Sequence, residues 1–151
     1  MAEVEKHGRR LSFSHTNGDT LLRELNVMKN APRKHESVNL ESKLKQFNDH
    51  WSPRTVSEFN GHDIMVAKIK GEYHWHSHSD TDEFFLVLSG VVTIRIKDKE
   101  DIVLNAGEMF VVPVGVEHQP LCSEEAHILL IEKSGTPNSG DADTAAPRQF
   151  L

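Results

Sequence analysis

Short runs of alternating apolar and polar residues fill the chain from Thr55 to Glu132. A period of two is typical of strands that bury one face and expose the other. We predict strands at 55–59, 63–70, 72–78, 84–88, 91–97, 101–104, 109–112, 117–122 and 126–132. Many short strands at even spacing indicate an all-β sandwich or barrel, and a jelly roll fits this pattern.

Turn-forming residues separate the predicted strands. Gly, Asn and Pro favour turns because they adopt or fix backbone angles that other residues avoid. Such breaks occur at Asn60-Gly61, Asn105-Ala106-Gly107 and Pro113-Val114-Gly115. A further pair, Ser89-Gly90, lies between two apolar runs and predicts a two-residue hairpin turn.

A helical period precedes the strands. Apolar residues recur there at spacings of four, three and four, which places them on one helix face. These residues are Leu40, Leu44, Phe47 and Trp51. Asn39 can cap the helix and Pro53 ends it. We expect an amphipathic helix that closes one end of the barrel.

The two ends of the chain differ from the barrel region. Residues 1–36 are mostly polar or charged and predict a separate N-terminal arm. Its one apolar patch, expected to pack on the barrel or on a second subunit, comprises Leu21, Leu22, Leu25, Val27 and Met28. Residues 134–151 are rich in Gly, Pro, Asn, Asp and Ala and predict a flexible C-terminal tail. The barrel with its preceding helix is expected at 37–133.

Charge and composition narrow the classes of partner. The 151 residues carry a formal net charge of -6 and one cysteine, Cys122. An acidic protein is repelled by nucleic acids and anionic membranes, so neither is expected as a partner. No apolar run approaches the ~20 residues of a membrane helix, and the first residues lack the apolar core of a signal peptide. A cytoplasmic location is expected, and a single cysteine agrees with a reducing compartment.

Three alternating histidines carry the first candidate chemistry. His74, His76 and His78 fall in the predicted strand 72–78, where alternate residues share one face. Neighbouring imidazoles repel one another when protonated and are costly when buried without partners. A divalent cation resolves both problems by binding the neutral rings. Glu83 comes five residues after His78, beyond a polar turn, and can return to the same site from the next strand.

A second segment supplies a fourth candidate ligand. An apolar strand that begins near Gly107 leads into a turn at Pro113 and Gly115, and His118 follows. Gly and Pro at these places specify a turn that points His118 inward.

These two segments resemble the two sequence motifs of the cupin superfamily. For the first motif, G-x(5)-H-x-H-x(3,4)-E-x(6)-G, the matching residues are His76, His78, Glu83 and Gly90. For the second motif, G-x(5)-P-x-G-x(2)-H-x(3)-N, they are Gly107, Pro113, Gly115 and His118. The chain looks most like small single-domain cupins, often described as mannose-6-phosphate-isomerase-like. It departs from the motifs at two places: Gly71 lies one residue too close to His76, and Cys122 stands where the family commonly has Asn.

The resemblance implies a double-stranded β-helix, the jelly-roll cupin barrel, here with a short N-terminal helical segment. It also implies one divalent transition metal held by His76, His78, Glu83 and His118. Mixed nitrogen and oxygen ligands suit Fe, Mn, Ni, Co or Zn, so the ligand set does not identify the metal.

Residues near the implied ligands have open roles. His74 is either a hydrogen-bond partner of a ligand or an ordinary residue of the barrel interior. Alternation from Glu83 sends Phe85 and Val87 inward, where they would form an apolar wall. Cys122 either faces the site or, as we favour, is a small buried apolar residue.

The implied site suits a metal-dependent enzyme of dioxygenase, decarboxylase, isomerase or lyase type, acting on a small oxygen-rich organic molecule. The alternative is a non-catalytic cupin that binds or senses a small molecule. We find no cluster of basic residues near the motifs that would hold a phosphate. A homodimer is expected, because the resemblance implies one and because barrel edge strands and the apolar patch of the arm need cover.

Overall fold

The computed structural model of the chain describes residues 36–151. The arm predicted at 1–36, with its apolar patch, therefore lies outside the described residues except for Glu36. Within these residues, eight strands and one short helix account for about half of the positions. In chain order they are α1 (Leu40–Leu44), β1 (Arg54–Phe59), β2 (His62–Glu72), β3 (Glu83–Ser89), β4 (Val91–Ile96), β5 (Ile102–Asn105), β6 (Met109–Val112), β7 (His118–Lys133) and β8 (Gln149–Phe150).

The helix begins where the sequence predicts but ends earlier. The Asn39 side chain accepts a hydrogen bond from the Ser42 backbone N–H at 2.8 Å, so the predicted N-cap is confirmed. The helix ends at Leu44 and does not reach Trp51. Trp51 has a φ of 57°, and its backbone N–H donates to the Lys68 carbonyl of β2 at 3.0 Å. Pairing with β2 thus replaces the helical hydrogen bonds that the apolar spacing predicted.

Strand β7 organises the sheet. It pairs antiparallel with β2 along nearly its whole length, and with β3 and then β4 along its other edge. Strand β5 adds to β4, β6 adds to β3, and β1 adds to β2. The two predicted strands 117–122 and 126–132 are therefore one strand, with an irregularity in its pairing opposite the Ile69–Gly71 stretch of β2.

The predicted hairpin at Ser89-Gly90 is wrong. Strands β3 and β4 do not pair with each other, because both follow the same edge of β7. Gly90 has a φ of 84°, and a Cβ on it would lie 2.9 Å from the Ala126 Cβ. Glycine is needed here because the backbone that joins β3 to β4 passes close to β7. Gly90 therefore marks a bend between the two strands rather than a hairpin turn.

The predicted strand 72–78 is also wrong. Strand β2 ends at Glu72, and the residues after it are irregular apart from one isolated bridge between His76 and His118. Gly71 has a φ of 79°, which interrupts the regular pleat just before the histidines. Their alternation therefore does not come from a paired strand.

The core lies inside the barrel, on the inward faces of β2, β3, β4 and β7. Burying each large apolar side chain there contributes about 1.5–3 kcal/mol. The main contributors are Met65, Ala67, Ile69, Phe85, Val87, Ile128 and Leu130. The barrel and its double-stranded β-helix class are as the sequence predicts. Within residues 36–151, no helix is long and apolar enough to cross a membrane.

The C-terminal segment, residues 134–151, was expected as a flexible tail but lies against the barrel. Its strand β8 pairs in parallel with β1. The Arg148 guanidinium donates to the buried Asp63 carboxylate, with Nε 2.7 Å from Oδ2, and also to Glu58. A buried carboxylate needs such a partner. This contact therefore holds the C-terminal segment against the barrel, although its composition is typical of a loop.

Candidate metal centre

Four side chains from three parts of the chain meet inside the barrel. His76 and His78 follow β2, Glu83 opens β3 and His118 opens β7. All four are buried, and one ligand atom from each lies within 4.8 Å of the others. The structure thus brings together the four residues to which the cupin resemblance assigns the metal.

Backbone hydrogen bonds hold the two motifs against each other. The His76 N–H donates to the His118 carbonyl at 3.0 Å, and the His118 N–H donates back to the His76 carbonyl at 2.9 Å. The Gly115 N–H donates to the His78 carbonyl at 2.7 Å. The Asp82 carboxylate accepts from the Val114 N–H at 2.8 Å. The turn before His118 is therefore fastened to the segment that carries the other histidines.

Two of the imidazoles are oriented by backbone carbonyls. His76 Nδ1 lies 3.1 Å from the His74 carbonyl oxygen, and His118 Nδ1 lies 3.0 Å from the Val116 carbonyl oxygen. A carbonyl oxygen only accepts, so Nδ1 of each ring carries the proton. In the neutral ring Nε2 then presents its lone pair, which is the state a metal ligand requires.

The nitrogen atoms converge on the Glu83 carboxylate. Glu83 Oε2 lies 2.8 Å from His118 Nε2, 3.2 Å from His78 Nε2 and 3.9 Å from His76 Nε2. Donors about 2.1 Å from one ion lie about 3 Å apart when they occupy neighbouring positions. The spacing and the donor types therefore fit a divalent transition metal.

The ionisation of these groups reflects burial and mutual contact. Burial and the nearby His118 lower the pKa of His76 to about 4. Burial also opposes charge on His118, but the hydrogen bond to Glu83 outweighs it and raises the pKa of His118. For Glu83, burial opposes the carboxylate, yet hydrogen bonds from His118 and His78 lower its pKa. The contact between Glu83 and His118 thus favours the charged forms of both groups.

The four neighbouring residues singled out in the sequence have different positions. His74 does not face the barrel interior: its ring is exposed and packs on Tyr73, with centroids 4.0 Å apart. It contributes to the site through its carbonyl, because the segment is not a regular strand. Phe85 is buried with its ring 6.1 Å from the His118 ring. Val87 and Cys122 belong to the apolar core, and burial raises the pKa of the Cys122 thiol.

A narrow cavity of about 30 Å³ lies beside two of the candidate ligands, His76 and Glu83, and Val87 and Cys122 do not line it. Its walls include His76, Glu83 and Phe85. Trp51 and Tyr73 also line it, and their rings are stacked with centroids 4.8 Å apart. A space of this size holds about one water molecule. Two aromatic side chains that the sequence had assigned to a helix and a strand therefore form part of the wall beside the site.

Glu132 is a further buried acid that the sequence reasoning missed. Its Oε1 lies 3.2 Å from His78 Nε2 but makes no hydrogen bond. Burial, together with the charges of Glu83 and Asp63, raises the pKa of Glu132. Alternation along β7 was the available signal, because Ile128, Leu130 and Glu132 share the inward face and only the last is charged.

Comparison with known proteins identifies the family. A family model of the cupin domain matches residues 64–132. A crystal structure of a cupin-2 domain-containing protein from Shewanella frigidimarina NCIMB 400 has a TM-score of 0.62 and 46% identity, covering 64% of this chain and 93% of that one. The Bacillus subtilis (strain 168) protein YdbB is 39% identical over 89 residues, which are 52% of this chain and 79% of that protein. The chain belongs to the cupin family.

One relative is an enzyme of known reaction. The 3-hydroxyanthranilate 3,4-dioxygenase of Xanthomonas euvesicatoria pv. vesicatoria (strain 85-10) is 31% identical over 88 residues. These residues are 54% of this chain and 48% of that enzyme. The chain thus spans about half the length of this dioxygenase.

Proposed function

We propose that the protein is a metal-dependent enzyme of the dioxygenase type that acts on a small oxygen-rich organic molecule. The observation that carries this proposal is the convergence of four buried nitrogen and oxygen donors within 4.8 Å. His76, His78, Glu83 and His118 would hold one divalent transition metal. A six-coordinate ion held in this way keeps two positions for other ligands.

Bound there, a divalent cation supplies Lewis acidity, which stabilises negative charge that develops on a substrate oxygen. The chain's own residues prepare the place for that chemistry. The His74 and Val116 carbonyls orient two ligand rings, so little rearrangement accompanies loading. Phe85 provides an apolar wall, and the stacked Trp51 and Tyr73 rings extend it beside His76.

Similarity to a dioxygenase supports the reaction class but not a substrate. The region matched by this chain covers about half the length of the Xanthomonas enzyme. The proposal therefore extends to oxygen-dependent chemistry on a small organic molecule and leaves the identity of that molecule to experiment.

The first test is the metal content of protein purified without chelators or nickel columns. We expect about one transition metal per chain, or stoichiometric uptake on reconstitution with Fe²⁺, Mn²⁺, Ni²⁺, Co²⁺ or Zn²⁺. A chain with both His76→Ala and His118→Ala is the matched control and should take up none. Absence of metal and of uptake in the unaltered chain would overturn the proposal.

The second test asks whether the metal is open to ligands. An α-keto acid and a β-diketone, both bidentate through oxygen, should raise the Tm of the loaded protein and leave the metal-free protein unchanged. Oxygen consumption with each compound that binds would then establish turnover. Binding without turnover of any compound would instead support the non-catalytic cupin, and equal Tm values in both forms would make the site structural.

We also propose that the protein forms a homodimer. The outward face of β6, β3 and β7 carries two rows of paired apolar residues, Val111–Phe84–Ile131 and Met109–Leu86–Leu129. Met109 and Val111 are 51% and 37% exposed. A continuous apolar face of a sheet is a common surface for association with a second copy. The cytoplasmic location stays a prediction.

A further inference from the structure

Tyr73, the single tyrosine of the chain, lies in the wall of the narrow cavity beside the candidate metal ligands His76 and Glu83. The rings of Tyr73 and His76 are nearly perpendicular, with centroids 5.4 Å apart. The cavity volume of about 30 Å³ leaves room for one oxygen-sized group. A ligand atom in this cavity therefore lies beside two candidate metal ligands and the tyrosine at once.

The Tyr73 side chain is held in one place. The Trp51 ring stacks on it with centroids 4.8 Å apart, and the His74 ring packs on it at 4.0 Å. The Tyr73 N–H donates to the Pro120 carbonyl at 2.9 Å, and the Tyr73 carbonyl accepts from Gln119 Nε2 at 2.7 Å. A residue fixed through both its ring and its backbone loses little conformational entropy when a ligand contacts it.

The Tyr73 hydroxyl accepts one hydrogen bond and has a proton left to donate. Its oxygen accepts from Asn138 Nδ2 at 3.1 Å. Asn138 lines the same cavity, so this contact lies at the cavity wall. Asn138 Oδ1 accepts from the Ala146 N–H at 2.8 Å, which leaves the NH₂ group of the amide for the phenol. Because the amide donates, the phenol proton points elsewhere, and no acceptor for it is found within residues 36–151.

The surroundings make this phenol the donor that a ligand oxygen would meet. Burial, together with the charges of Glu83 and Glu132, raises the pKa of Tyr73, so the hydroxyl keeps its proton in the neutral range. Trp51 Nε1, the indole N–H of the wall, already donates to the Lys70 carbonyl at 2.9 Å. Most of the other lining residues are apolar. An acceptor oxygen in the cavity is thus best paired by Tyr73.

We propose that the Tyr73 hydroxyl donates a hydrogen bond to an acceptor oxygen of the substrate at the metal centre, and that Asn138 is the positioning residue that orients the hydroxyl. This inference rests on the proposed function and deepens it, because it narrows the class of substrate. A carboxylate or carbonyl oxygen accepts such a bond, and a charged oxygen gains the most from it. The preferred substrate is therefore a small molecule that presents a carboxylate or carbonyl oxygen rather than an amine or a thiol.

The first experiment observes the phenol itself. Formate is the probe, because it is the smallest carboxylate. Tyrosine isotopically labelled at the ζ carbon gives one NMR signal, since Tyr73 is the single tyrosine. We expect formate to shift this signal saturably in the zinc-loaded chain and to leave it unchanged in the metal-free chain. Formate that binds the zinc-loaded chain without moving the ζ-carbon signal would contradict the proposal.

The second experiment uses variants to separate a hydrogen bond from packing. Tyr73→Phe keeps the ring and removes the hydroxyl, and we expect about tenfold weaker formate binding to the cobalt-loaded chain, measured by visible absorption. Asn138→Ala keeps the phenol but removes its donor, so we expect a loss of about threefold and a ζ-carbon signal that is displaced before formate is added. Thr93→Val removes a hydroxyl from β4, outside the cavity wall, and should have no effect. All three variants should take up cobalt like the unaltered chain.

The results distinguish this inference from the proposed function. A Tyr73→Phe chain that takes up cobalt and binds formate undiminished would overturn the role of Tyr73 and leave the metal centre intact. Equal losses in Tyr73→Phe and Thr93→Val, or failure of Tyr73→Phe to take up cobalt, would also overturn that role. An unaltered chain that takes up no metal would overturn the proposed function and this inference together. If Tyr73→Phe does not fold, the ζ-carbon response of the unaltered chain decides.

Discussion

His118 and Glu83 lie 35 positions apart in the chain, yet His118 Nε2 is 2.8 Å from Glu83 Oε2 inside the barrel. The first residues of β7 and β3 carry them, and the isolated bridge between His118 and His76 brings in a third ligand. The contact raises the pKa of His118, so a cation that binds at Nε2 competes with a proton there. Metal uptake should therefore release protons, and its affinity should depend on pH.

Removing a ligand ring should empty the site, whereas removing the His74 ring should not. His76→Ala and His118→Ala each delete a buried Nε2 donor, and we expect metal affinity to fall by at least a factor of about 100. His74→Ala keeps the backbone carbonyl that orients His76, so its affinity should change little. Calorimetric titration with Zn²⁺ and elemental analysis check both. A His74→Ala protein as empty as His76→Ala would show that the ligand assignment is wrong.

The stability of the metal-free protein should fall in acid because of His76. Its pKa is about 4 in the fold against 6.5 for a free histidine. Below pH 6.5, His76 binds a proton in the unfolded chain but not in the folded chain. The free energy of unfolding therefore decreases as the pH falls towards 4. The loss from this one residue is on the order of 3 kcal/mol. Urea unfolding in EDTA measures it.

His76→Gln is the control for that pH dependence. It removes the titrating ring, so its free energy of unfolding should depend less steeply on pH between 6.5 and 4 than that of the unaltered chain. His118 acts in the opposite direction, since its raised pKa adds stability that is lost as the pH rises. Curves of equal steepness for the two proteins would contradict the assignment to His76.

The residues that the motifs supply were predictable, and the aromatic residues that line the adjoining cavity were not. The resemblance to the cupin motifs named His76, His78, Glu83 and His118, because turn residues and ligands sit at fixed offsets in those motifs. Trp51 instead fitted a helical period, but the helix ends at Leu44 and Trp51 pairs with β2. Long-range pairing of this kind leaves no trace in local periodicity.

Composition was misleading at Ser89-Gly90 and in the C-terminal segment. Gly90 is required by the closeness of Ala126, a residue far away in sequence, and not by a local turn. The C-terminal segment has the composition of a loop, but Arg148 finds a buried acid on β2. In both cases a tertiary contact overrides the local signal.

Gly90 should tolerate a methyl group less well than Gly107. Both have positive φ, 84° and 88°, so alanine costs about 1–2 kcal/mol of conformational strain at either position. A Cβ on Gly90 would also lie 2.9 Å from the Ala126 Cβ, whereas nothing lies within 4 Å of one on Gly107. We expect Gly90→Ala to cost about 2 kcal/mol more than Gly107→Ala in urea unfolding. Equal losses would mean that the strands adjust without strain.

The outward face of β3 and β6 should hold the proposed dimer together. We expect light scattering at micromolar concentration to give twice the chain mass of 17.1 kDa. Met109→Lys with Val111→Lys places two charges on the paired apolar rows and should yield a monomer, because burying unpaired charges at an interface is unfavourable. Val103→Lys makes a similar change on β5, where the side chain is 56% exposed, and should leave the dimer intact. A mass of one chain for the unaltered protein, or dissociation by Val103→Lys alone, would contradict the assignment of this face.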